Sequence, residues 1–450
     1  MAAAGFNTKQ DRPHLVRAVG LTSLTALAVN GMVGSGIFVL PAQVAAIVGP
    51  ASLLAYGIAG LAVGLMVLCF AEVAALFDGS GGPYLYARAA FGDWVGFEIG
   101  WMLLLSRLTA IGAISNAFAS YLGFFWPVLA KGAGRVIAIS VVLGVLGAVN
   151  YLGVRYGTWV SNLLTIAKLA PLVFFVLAGV FAADIHRFEN WTHPTGSGLR
   201  QASLLLIFAF GGFEFAVVPG GEAVDPKKDL PTALISAMAC VTVLYVLIQL
   251  VTQGSLPDLV SSATPLADAS RRFLGPAGGL LLAVGAVLST TGTNSGTLLT
   301  GPRIIYAMAD GRQLPSLFAR VHPSYRTPHI AVVSMALLGW VGAVLGGFAL
   351  LAAISAIARL CCYMSTCAAL PVLRWKMPEA HRRFSVPGGA VIPIVACAIS
   401  VWLLVGSTET QALICGASLL AGALVYGCYR WSGAPLKHGT LRNGQGIQVD

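Results

Sequence analysis

Long apolar runs, separated by short polar segments, follow one another along almost the whole chain. A helix needs about 20 mainly apolar residues to cross a bilayer, and on that rule the pattern predicts twelve membrane-spanning helices. Their approximate limits are 20–48, 51–77, 93–126, 134–152, 157–183, 201–222, 232–255, 273–300, 329–347, 349–372, 390–406 and 410–430. The predicted fold is therefore an all-α polytopic membrane protein, and an even number of spans places both chain ends on one side.

Two of these apolar runs are interrupted by glycine near their middle. The first contains NGMVGSGIFVLP from Asn30 to Pro41, and the sixth contains FAFGGFEF, with Gly211 and Gly212 followed by Glu214. Glycine costs roughly 1 kcal/mol relative to alanine in a helix, and broken helices persist in lipid only where they are buried in protein or line a cavity. A small-residue packing face is the alternative for the first stretch. Matching breaks five spans apart favour an inverted-repeat transporter that holds a solute at the midplane.

Composition and charge support a membrane protein and fix its orientation. The chain is 57% hydrophobic and only 10% charged, whereas soluble domains carry about 25% charged residues. With the N-terminus inside, the inner segments hold 18 of the 27 Lys and Arg and the outer segments hold 6. Cytoplasmic loops are the ones enriched in Lys and Arg. Both termini are therefore predicted to be cytoplasmic, and the net charge of +10 is attributed to topology and not to nucleic-acid binding.

Charged residues inside the predicted spans are candidates for function, because a charge at the helix centre costs about 2.5–3.5 kcal/mol on insertion scales. Glu214 lies two residues past the glycine pair. A carboxylate in a low-dielectric setting takes up a proton more readily than in water, so Glu214 is a candidate for proton coupling. The alternative is a structural salt bridge to Arg107 or Lys168.

Two cations complete this set. Lys168, at mid-span in helix five, is a candidate proton carrier or a fixed cation in place of bound Na⁺, and the alternative is a static anchor for the carbonyls of the broken first helix. Arg107, at mid-span in helix three, stays protonated. We expect it to pair with Glu98 or Glu214, although contact with an anionic substrate stays open. Glu72, near the cytoplasmic end of helix two, is expected as a cap or inner-gate partner, and Arg359 in helix ten is expected to pair or to extend to the interface.

Less specific candidates surround the second break and line span eight. Phe208, Phe210 and Phe213 flank the glycine pair and are either packing residues or lids over a solute. Polar residues in span eight either line a pocket or bridge helices, and they are Ser289, Thr290, Thr291, Thr293 and Asn294. All eight cysteines fall inside predicted spans, and their spacing matches no metal motif, so neither disulfides nor a metal site are expected.

Several motifs occur in a fixed order along the chain. They are GSGIF with Pro41, SGGPYLYARAAFGDWVGFEIGW after span two, FAFGGFE in span six, GGEAVDPKKDLP after it, GPRIIYAMADGRQLP after span eight, and RTP at 326–328. Together they resemble the amino acid–polyamine–organocation (APC) superfamily of permeases, which includes the arginine–agmatine antiporter and the cationic amino acid transporters. The likeness runs from about Val16 to about Trp375, and the last two spans carry little of it.

The resemblance implies a domain organisation. Helices one to five and six to ten would form a five-plus-five inverted repeat, with two peripheral helices. The corresponding parts are a cytoplasmic N-terminal tail (1–19), a transporter core (20–375), a segment with peripheral helices eleven and twelve (376–431) and a cytoplasmic C-terminal tail (432–450).

The resemblance also implies a substrate site for an amino acid or a related amine, made of backbone groups at the two breaks. Amides would hold the substrate carboxylate, since the half-helix that begins near Ile37 points its positive end at the site, and opened carbonyls would hold the ammonium. The amides are those of Ser35, Gly36 and Ile37, and the carbonyls lie near Met32, Val33, Phe210 and Phe213, beside Gly211. By the same likeness, Phe208 is a gate, Glu214 is an acidic residue linked to proton coupling or gating, and Lys168 replaces the second sodium of sodium-coupled relatives.

Helix three departs from the arginine–agmatine antiporter. Aligned without gaps from Phe91 to Pro127, it has Ile111 where that protein has a polar asparagine that contacts substrate, and Arg107 where that protein has no charge. Arginine–agmatine exchange is therefore not expected, and a fixed cation facing the site would disfavour a cationic substrate.

The sequence thus predicts a secondary active transporter that moves an amino acid across the cytoplasmic membrane by alternating access, coupled to protons. Exchange or uniport is the alternative mode. Three other classes of protein are less favoured. A channel would need a continuous polar stripe, and the predicted helices are too apolar for one. A sensor would need a signalling partner, and an intramembrane enzyme would need a nucleophile–base pair, which no predicted span contains. The expected partners are an amino acid, protons and the lipid bilayer, with the chain a monomer or homodimer and no cofactor.

Overall fold

The protein is built almost wholly of α-helices. The computed structural model describes residues 20–77, 82–152, 157–188, 194–217, 225–380, 382–431, 441–442 and 448–449. Within them the helices are α1 (Leu21–Met32), α2 (Ser35–Val48), α3 (Ser52–Ala74), α4 (Pro83–Phe91), α5 (Asp93–Leu122), α6 (Gly132–Leu152), α7 (Gly157–Gly179), α8 (Gly196–Phe210), α9 (Pro226–Ser255), α10 (Pro265–Asp310), α11 (His329–Leu345), α12 (Phe348–Lys376), α13 (Val391–Leu404) and α14 (Glu409–Trp431). Two short strands, β1 (Leu441–Arg442) and β2 (Gln448–Val449), pair antiparallel.

Most of these helices are suited to a bilayer. Within the described ranges, seven helical stretches are long and apolar enough to cross a membrane, and four shorter helices are also apolar. Large hydrophobic side chains such as Leu61, Leu345 and Leu424 are exposed on the outside of the bundle. A helix satisfies its backbone polar groups internally, as the hydrocarbon core requires. The chain is therefore a multi-pass membrane protein.

Each predicted apolar span overlaps a helix of the structure, and the differences lie at helix ends. The helix α9 begins at Pro226 and α10 runs from Pro265 to Asp310, both beyond the predicted spans, because apolar content marks only the lipid-embedded part of a helix. Within α10 the backbone leaves the helical region at Gly275, with φ at 69°. The stretch Arg303–Arg326, between two predicted spans, contains the end of α10 and a short 3₁₀ turn at Ser316–Ala319.

Helices that occupy equivalent places in the two predicted repeats pack against one another. The half-helix α2 packs against α8, α3 against α9, α5 against α10, and α6 against α11. Each of these contacts joins a predicted span to the span five places later. The two broken segments also meet in the middle of this arrangement, since α1 packs against the turn Phe213–Phe215.

A buried carboxylate at the end of α3 is paired with arginine side chains. Glu72, fully buried at the end of α3, accepts hydrogen bonds from Arg374 Nε at 2.8 Å and from the Val386 amide at 2.7 Å. A second guanidinium nitrogen, Arg382 Nε, lies 3.6 Å from the same carboxylate. Glu72 therefore ties α3 to the end of α12 and to the segment that follows it. A gating function for this pair stays a prediction.

Glycine allows the two breaks to approach closely. A Cβ atom on Gly31 would overlap the backbone carbonyl of Gly212 and the ring of Phe215. A Cβ atom on Gly36 would lie 2.8 Å from the Cβ of Ala209. The glycines at both places are therefore explained by a close approach of two backbones as well as by the interruption of a helix.

We expect Gly31→Ala to destabilise the protein, because overpacking a tight contact costs about 1–3 kcal/mol. The matched control is Gly57→Ala in α3, where an added Cβ meets no atom within 4 Å. The measurement is the melting temperature of each purified variant in detergent. Equal melting temperatures for the two variants would contradict the close contact at Gly31.

Candidate substrate site

The first break lies between α1 and α2. Val33 (φ −75°, ψ 86°) and Gly34 (φ −121°, ψ −148°) leave the helical region, and α2 begins at Ser35 without a side-chain cap. A helix N-terminus leaves its first N–H groups without intrahelical partners and carries partial positive charge. Within the described residues, the buried Oγ of Ser35 also has no hydrogen-bond partner. This end of α2 is therefore suited to an anionic group.

The second break follows α8 and depends on two glycines for different reasons. Gly211 is extended (φ −80°, ψ 157°), and a Cβ atom there would overlap the side chain of Arg359. Gly212 has φ at 116°, in the left-handed region that glycine adopts without steric cost. A short 3₁₀ turn, Phe213–Phe215, continues the chain.

Lys168 binds the opened carbonyls of the first break. Its ammonium donates hydrogen bonds to the carbonyl oxygens of Asn30 and Val33, each at 2.6 Å, and its side chain is buried. The hydroxyl of Ser289 lies 3.5 Å from the same Val33 oxygen. Because an opened carbonyl in lipid needs a donor, this geometry is that of the anchor considered for Lys168. A further role in proton transfer stays a prediction.

Tyr245 connects the two broken helices. Its hydroxyl lies 2.8 Å from the carbonyl oxygen of Met32 at the end of α1 and 3.3 Å from that of Ala209 near the end of α8. The carbonyls of Met32 and Val33, expected to hold the substrate ammonium, therefore already accept bonds from the protein. The Met32 oxygen also accepts a bond from the Gly34 amide at 2.9 Å, so a substrate ammonium would have to displace or share these donors, and that role stays a prediction.

Glu214 lies at the centre of a buried polar cluster. Its Oε1 accepts a hydrogen bond from Arg107 Nη2 at 3.1 Å and lies 3.9 Å from Arg359 Nε. Its Oε2 accepts bonds from the Tyr363 hydroxyl at 2.7 Å and from the Gly212 amide at 2.8 Å. An ionised carboxylate is an acceptor only and can take all of these bonds. Of the alternatives for Glu214, the salt bridge to Arg107 is the one that the structure shows.

A small cavity lies where the two breaks meet. Its volume is about 20 Å³, enough for about one water molecule. An amino acid therefore requires side chains to move, and Phe208, packed edge-on against Phe348 with ring centres 5.9 Å apart, lies at the wall. The lining residues are Gly31, Met32, Gly34, Ser35, Gly36, Arg107, Ala110, Ile114, Phe208, Gly211, Gly212, Phe215, Thr293, Thr297 and Arg359.

Part of the site predicted from the sequence lines this cavity. The predicted residues in its wall share a position at a break or on helix three, and they are Met32, Ser35, Gly36, Arg107, Phe208 and Gly211. Arg107 also stacks its guanidinium over the ring of Phe215, 4.6 Å from the ring centre. The structure therefore brings the amide end of α2, the glycine break of α8 and a cation together.

Other predicted residues lie beside the cavity and not in its wall. The ring of Phe210 packs against Tyr245, and that of Phe213 packs between Phe70 and Tyr363, with ring centres 4.8–5.1 Å apart. Their rings are thus placed as packing residues, the other alternative considered for them. Val33, Ile37, Glu214 and Lys168 also lie outside the cavity wall as described.

The polar residues of span eight divide between the two alternatives. Thr293 lines the cavity, whereas Asn294 donates a hydrogen bond to Ser115 Oγ on α5 at 3.0 Å and so bridges two helices. Thr297, four residues after Thr293, also lines the cavity. Its position could have been predicted, because residues four apart share a helix face.

Besides apolar and threonine residues of the cavity wall, the roles of one arginine and two tyrosines were not recognised from the sequence. Arg359 was expected only to pair or to extend to the interface, and the roles of Tyr245 and Tyr363 were not predicted. The signal that could have marked Arg359 was its position as a single basic residue inside the apolar span ten. The two tyrosines lie in apolar helices, and no local pattern distinguishes them from ordinary core residues.

We expect Glu214→Gln to lower the melting temperature markedly, because it leaves Arg107 and Arg359 without their carboxylate. Removing one partner of a buried ion pair costs about 3–5 kcal/mol. The control is Glu379→Gln, a carboxylate exposed on the surface, and thermal unfolding in detergent is the measurement. An unchanged melting temperature for Glu214→Gln would contradict the structural importance of the cluster.

Comparisons with known proteins agree with this architecture. The amino acid permease family model matches residues 19–416. The methylthioribose transporter of Bacillus subtilis (strain 168) is 30% identical over 446 residues, which covers 94% of this chain and 95% of that protein. The serine/threonine exchanger SteT of the same organism is 31% identical over 424 residues, which covers 91% of this chain and 95% of that protein. The large neutral amino acids transporter small subunit 2 of Mus musculus is 29% identical over 431 residues, which covers 92% of this chain and 81% of that protein.

The match extends over nearly the whole chain and includes both glycine breaks. It confirms the resemblance that the motifs indicated. The chain belongs to the amino acid permease family of the APC superfamily.

Proposed function

We propose that this protein is a secondary active transporter that moves an amino acid across the cytoplasmic membrane by alternating access. The observation that carries the proposal is the meeting of two broken helices at one cavity. There the uncapped N-terminus of α2 provides amides and positive potential for a carboxylate. Carbonyls opened at the ends of α1 and α8 provide acceptors for an ammonium. Both groups of a zwitterionic amino acid would thus be bound by backbone.

We further propose twelve spans, with both termini cytoplasmic and the first ten spans forming a five-plus-five inverted repeat. The packing of α2 with α8, α3 with α9, α5 with α10 and α6 with α11 supports this arrangement, because a two-fold axis between repeats brings equivalent helices together. The distribution of Lys and Arg supports the orientation. The chain would act as a monomer or a homodimer.

Proton coupling is proposed for the energy source, with Lys168 and Glu214 as the coupling residues. Lys168 holds the two carbonyls of the first break, so loss of its proton would remove the positive charge and one of its three N–H donors and weaken its hold on that break. Protonation of Glu214 would release Arg107 from its carboxylate. One proton crossing 100 mV provides about 2.3 kcal/mol. Exchange is the second mode, and one relative is named as a serine/threonine exchanger.

A ligand screen tests the proposed function. The purified protein in detergent is heated with each amino acid, with common polyamines and with methylthioribose, since a ligand that binds only the folded state raises the melting temperature. We expect at least one amino acid to raise it and to be taken up by proteoliposomes. A shift with methylthioribose alone, or with polyamines alone, would contradict the proposal.

Two variants locate the binding. Ala110→Phe places a ring in the cavity wall and is expected to abolish both the ligand-induced shift and uptake. Val141→Phe adds a similar ring on the outside of α6, where the side chain is 60% exposed, and should preserve both. Binding that survives Ala110→Phe would place the substrate elsewhere.

Proteoliposomes with an imposed pH gradient test the coupling. We expect Lys168→Ala to impair proton-driven accumulation more than exchange of internal for external substrate, and we expect uptake to need no Na⁺. Glu214→Gln should flatten the pH dependence of uptake. Equal loss of accumulation and exchange in Lys168→Ala would leave Lys168 as an anchor only. Unchanged pH dependence of uptake in Glu214→Gln would remove Glu214 from coupling. A steep dependence of uptake on Na⁺ would contradict proton coupling.

A further inference from the structure

The centre of the bundle contains more positive than negative charge. Among the described residues, the charged side chains buried around the two breaks are Arg107, Lys168, Arg359 and Glu214. Glu72 is also buried but is paired with Arg374 at the end of α3, and Glu98, whose carboxylate oxygens are buried as well, lies beside Gly422 of α14. Arg107 and Arg359 therefore share one carboxylate, while Lys168 bonds the carbonyls of the first break, in a region where uncompensated charge is costly. A zwitterionic substrate with a neutral side chain would leave this imbalance unchanged.

The two arginines are incompletely satisfied by Glu214. Arg107 Nη2 donates to Glu214 Oε1 at 3.1 Å, but Arg359 Nε lies 3.9 Å from the same oxygen, beyond hydrogen-bond distance. The Oε2 atom is already bound to Tyr363 and to the Gly212 amide. Within the part of the chain that the structure describes, the Nε atoms of Arg107 and Arg359 have no hydrogen-bond partner. Their side chains are only 4% and 5% exposed.

The two guanidinium groups, each with one unpartnered Nε atom, line the candidate cavity. Arg107 and Arg359 contribute to its wall together with Ser35 and Gly36 of the amide end of α2. One cavity thus presents two separate sites for an anion, which are a helix N-terminus and a pair of guanidinium groups. Guanidinium groups form strong paired hydrogen bonds with carboxylates.

From this geometry we infer that the substrate is an amino acid with an acidic side chain. The inference rests on the proposed function and names its substrate class. The α-carboxylate binds at the N-terminus of α2, and the side-chain carboxylate binds between Arg107 and Arg359. The second carboxylate offsets one of the surplus charges and supplies acceptors to the guanidinium groups. Cationic amino acids are excluded by repulsion from the same two arginines.

The competing interpretation is that both arginines only stabilise Glu214 and that the substrate is neutral. Carboxamides separate the two interpretations, because glutamine and asparagine match glutamate and aspartate in shape and lack the side-chain charge. A site built for a carboxylate binds the acid more tightly than the amide, whereas a neutral site does not.

The experiment compares L-glutamate with L-glutamine and L-aspartate with L-asparagine. For each compound it measures the inhibition of labelled amino-acid uptake into proteoliposomes and the shift in melting temperature of the purified protein. We expect at least one acid to bind about tenfold or more tightly than its amide, since a hydrogen bond to a charged group is worth more than a neutral one. Arg359→Gln should remove this preference while an amide still binds. Arg359→Lys, which keeps the charge, should retain part of it.

The matched control is Arg135→Gln. Arg135 is also partly buried, but it bonds the Asn116 side chain and the Val344 carbonyl and is not in the cavity wall. Its replacement should leave the ratio of acid to amide binding unchanged. If Arg359→Gln fails to fold, the ratio of acid to amide binding in the wild-type protein still decides between an acidic and a neutral substrate.

Three results would overturn the inference. Equal or tighter binding of the amides, with uptake of a neutral amino acid, would contradict the acidic substrate and leave the proposed function intact. A preference for acids that survives Arg359→Gln would contradict the placement of the side-chain carboxylate. Absence of binding and uptake for every amino acid would contradict the proposed function, and the inference with it.

Discussion

The structure depends on one constraint: the backbone groups opened at the two breaks lie in the middle of a membrane protein and must find partners there. In lipid, an unsatisfied N–H or C=O costs several kcal/mol. Lys168 donates to the carbonyls of Asn30 and Val33, and the single hydroxyl proton of Tyr245 is within reach of the carbonyls of Met32 and Ala209. These side chains come from α7 and α9, so the breaks persist only because neighbouring helices provide donors. The amides at the start of α2 are not capped in this way, which is why a substrate carboxylate is the partner that we propose for them.

Charge balance is the second constraint and acts through Glu214. This carboxylate joins α5, α12 and the second break, since its partners are Arg107, Tyr363 and the Gly212 amide. The same cluster forms one wall of the cavity through Arg107 and Arg359. Any change in protonation at Glu214, or any anion that enters the cavity, therefore alters the contacts between three segments at once. This gives a physical route by which substrate or proton could bias the bundle between two arrangements.

The sequence predicted the helices and the breaks because both have local causes. Apolar runs of sufficient length are helices in a bilayer, and Gly34, Gly211 and Gly212 lie where the structure leaves the helical region. Arg107 and Glu214 were recognised because a charge within an apolar run is conspicuous. Arg107 was expected to pair with Glu98 or with Glu214, and the structure shows the pair with Glu214.

The rest could not be predicted because it depends on contacts between distant parts of the chain. Tyr363 lies 149 residues from Glu214, and Tyr245 lies 213 residues from Met32. Nothing in the local sequence of either tyrosine marks it as a partner of the breaks. Phe210 and Phe213 take the packing alternative for the same reason, because their partners Tyr245, Phe70 and Tyr363 lie on other helices.

The most direct test of the central claim is an experimental structure determined with a bound amino acid. The account predicts that the carboxylate of the ligand lies against the amides of Ser35, Gly36 and Ile37, with its ammonium directed to carbonyls at the ends of α1 and α8. Ligand density between other helices, with both breaks unchanged and out of contact, would contradict it.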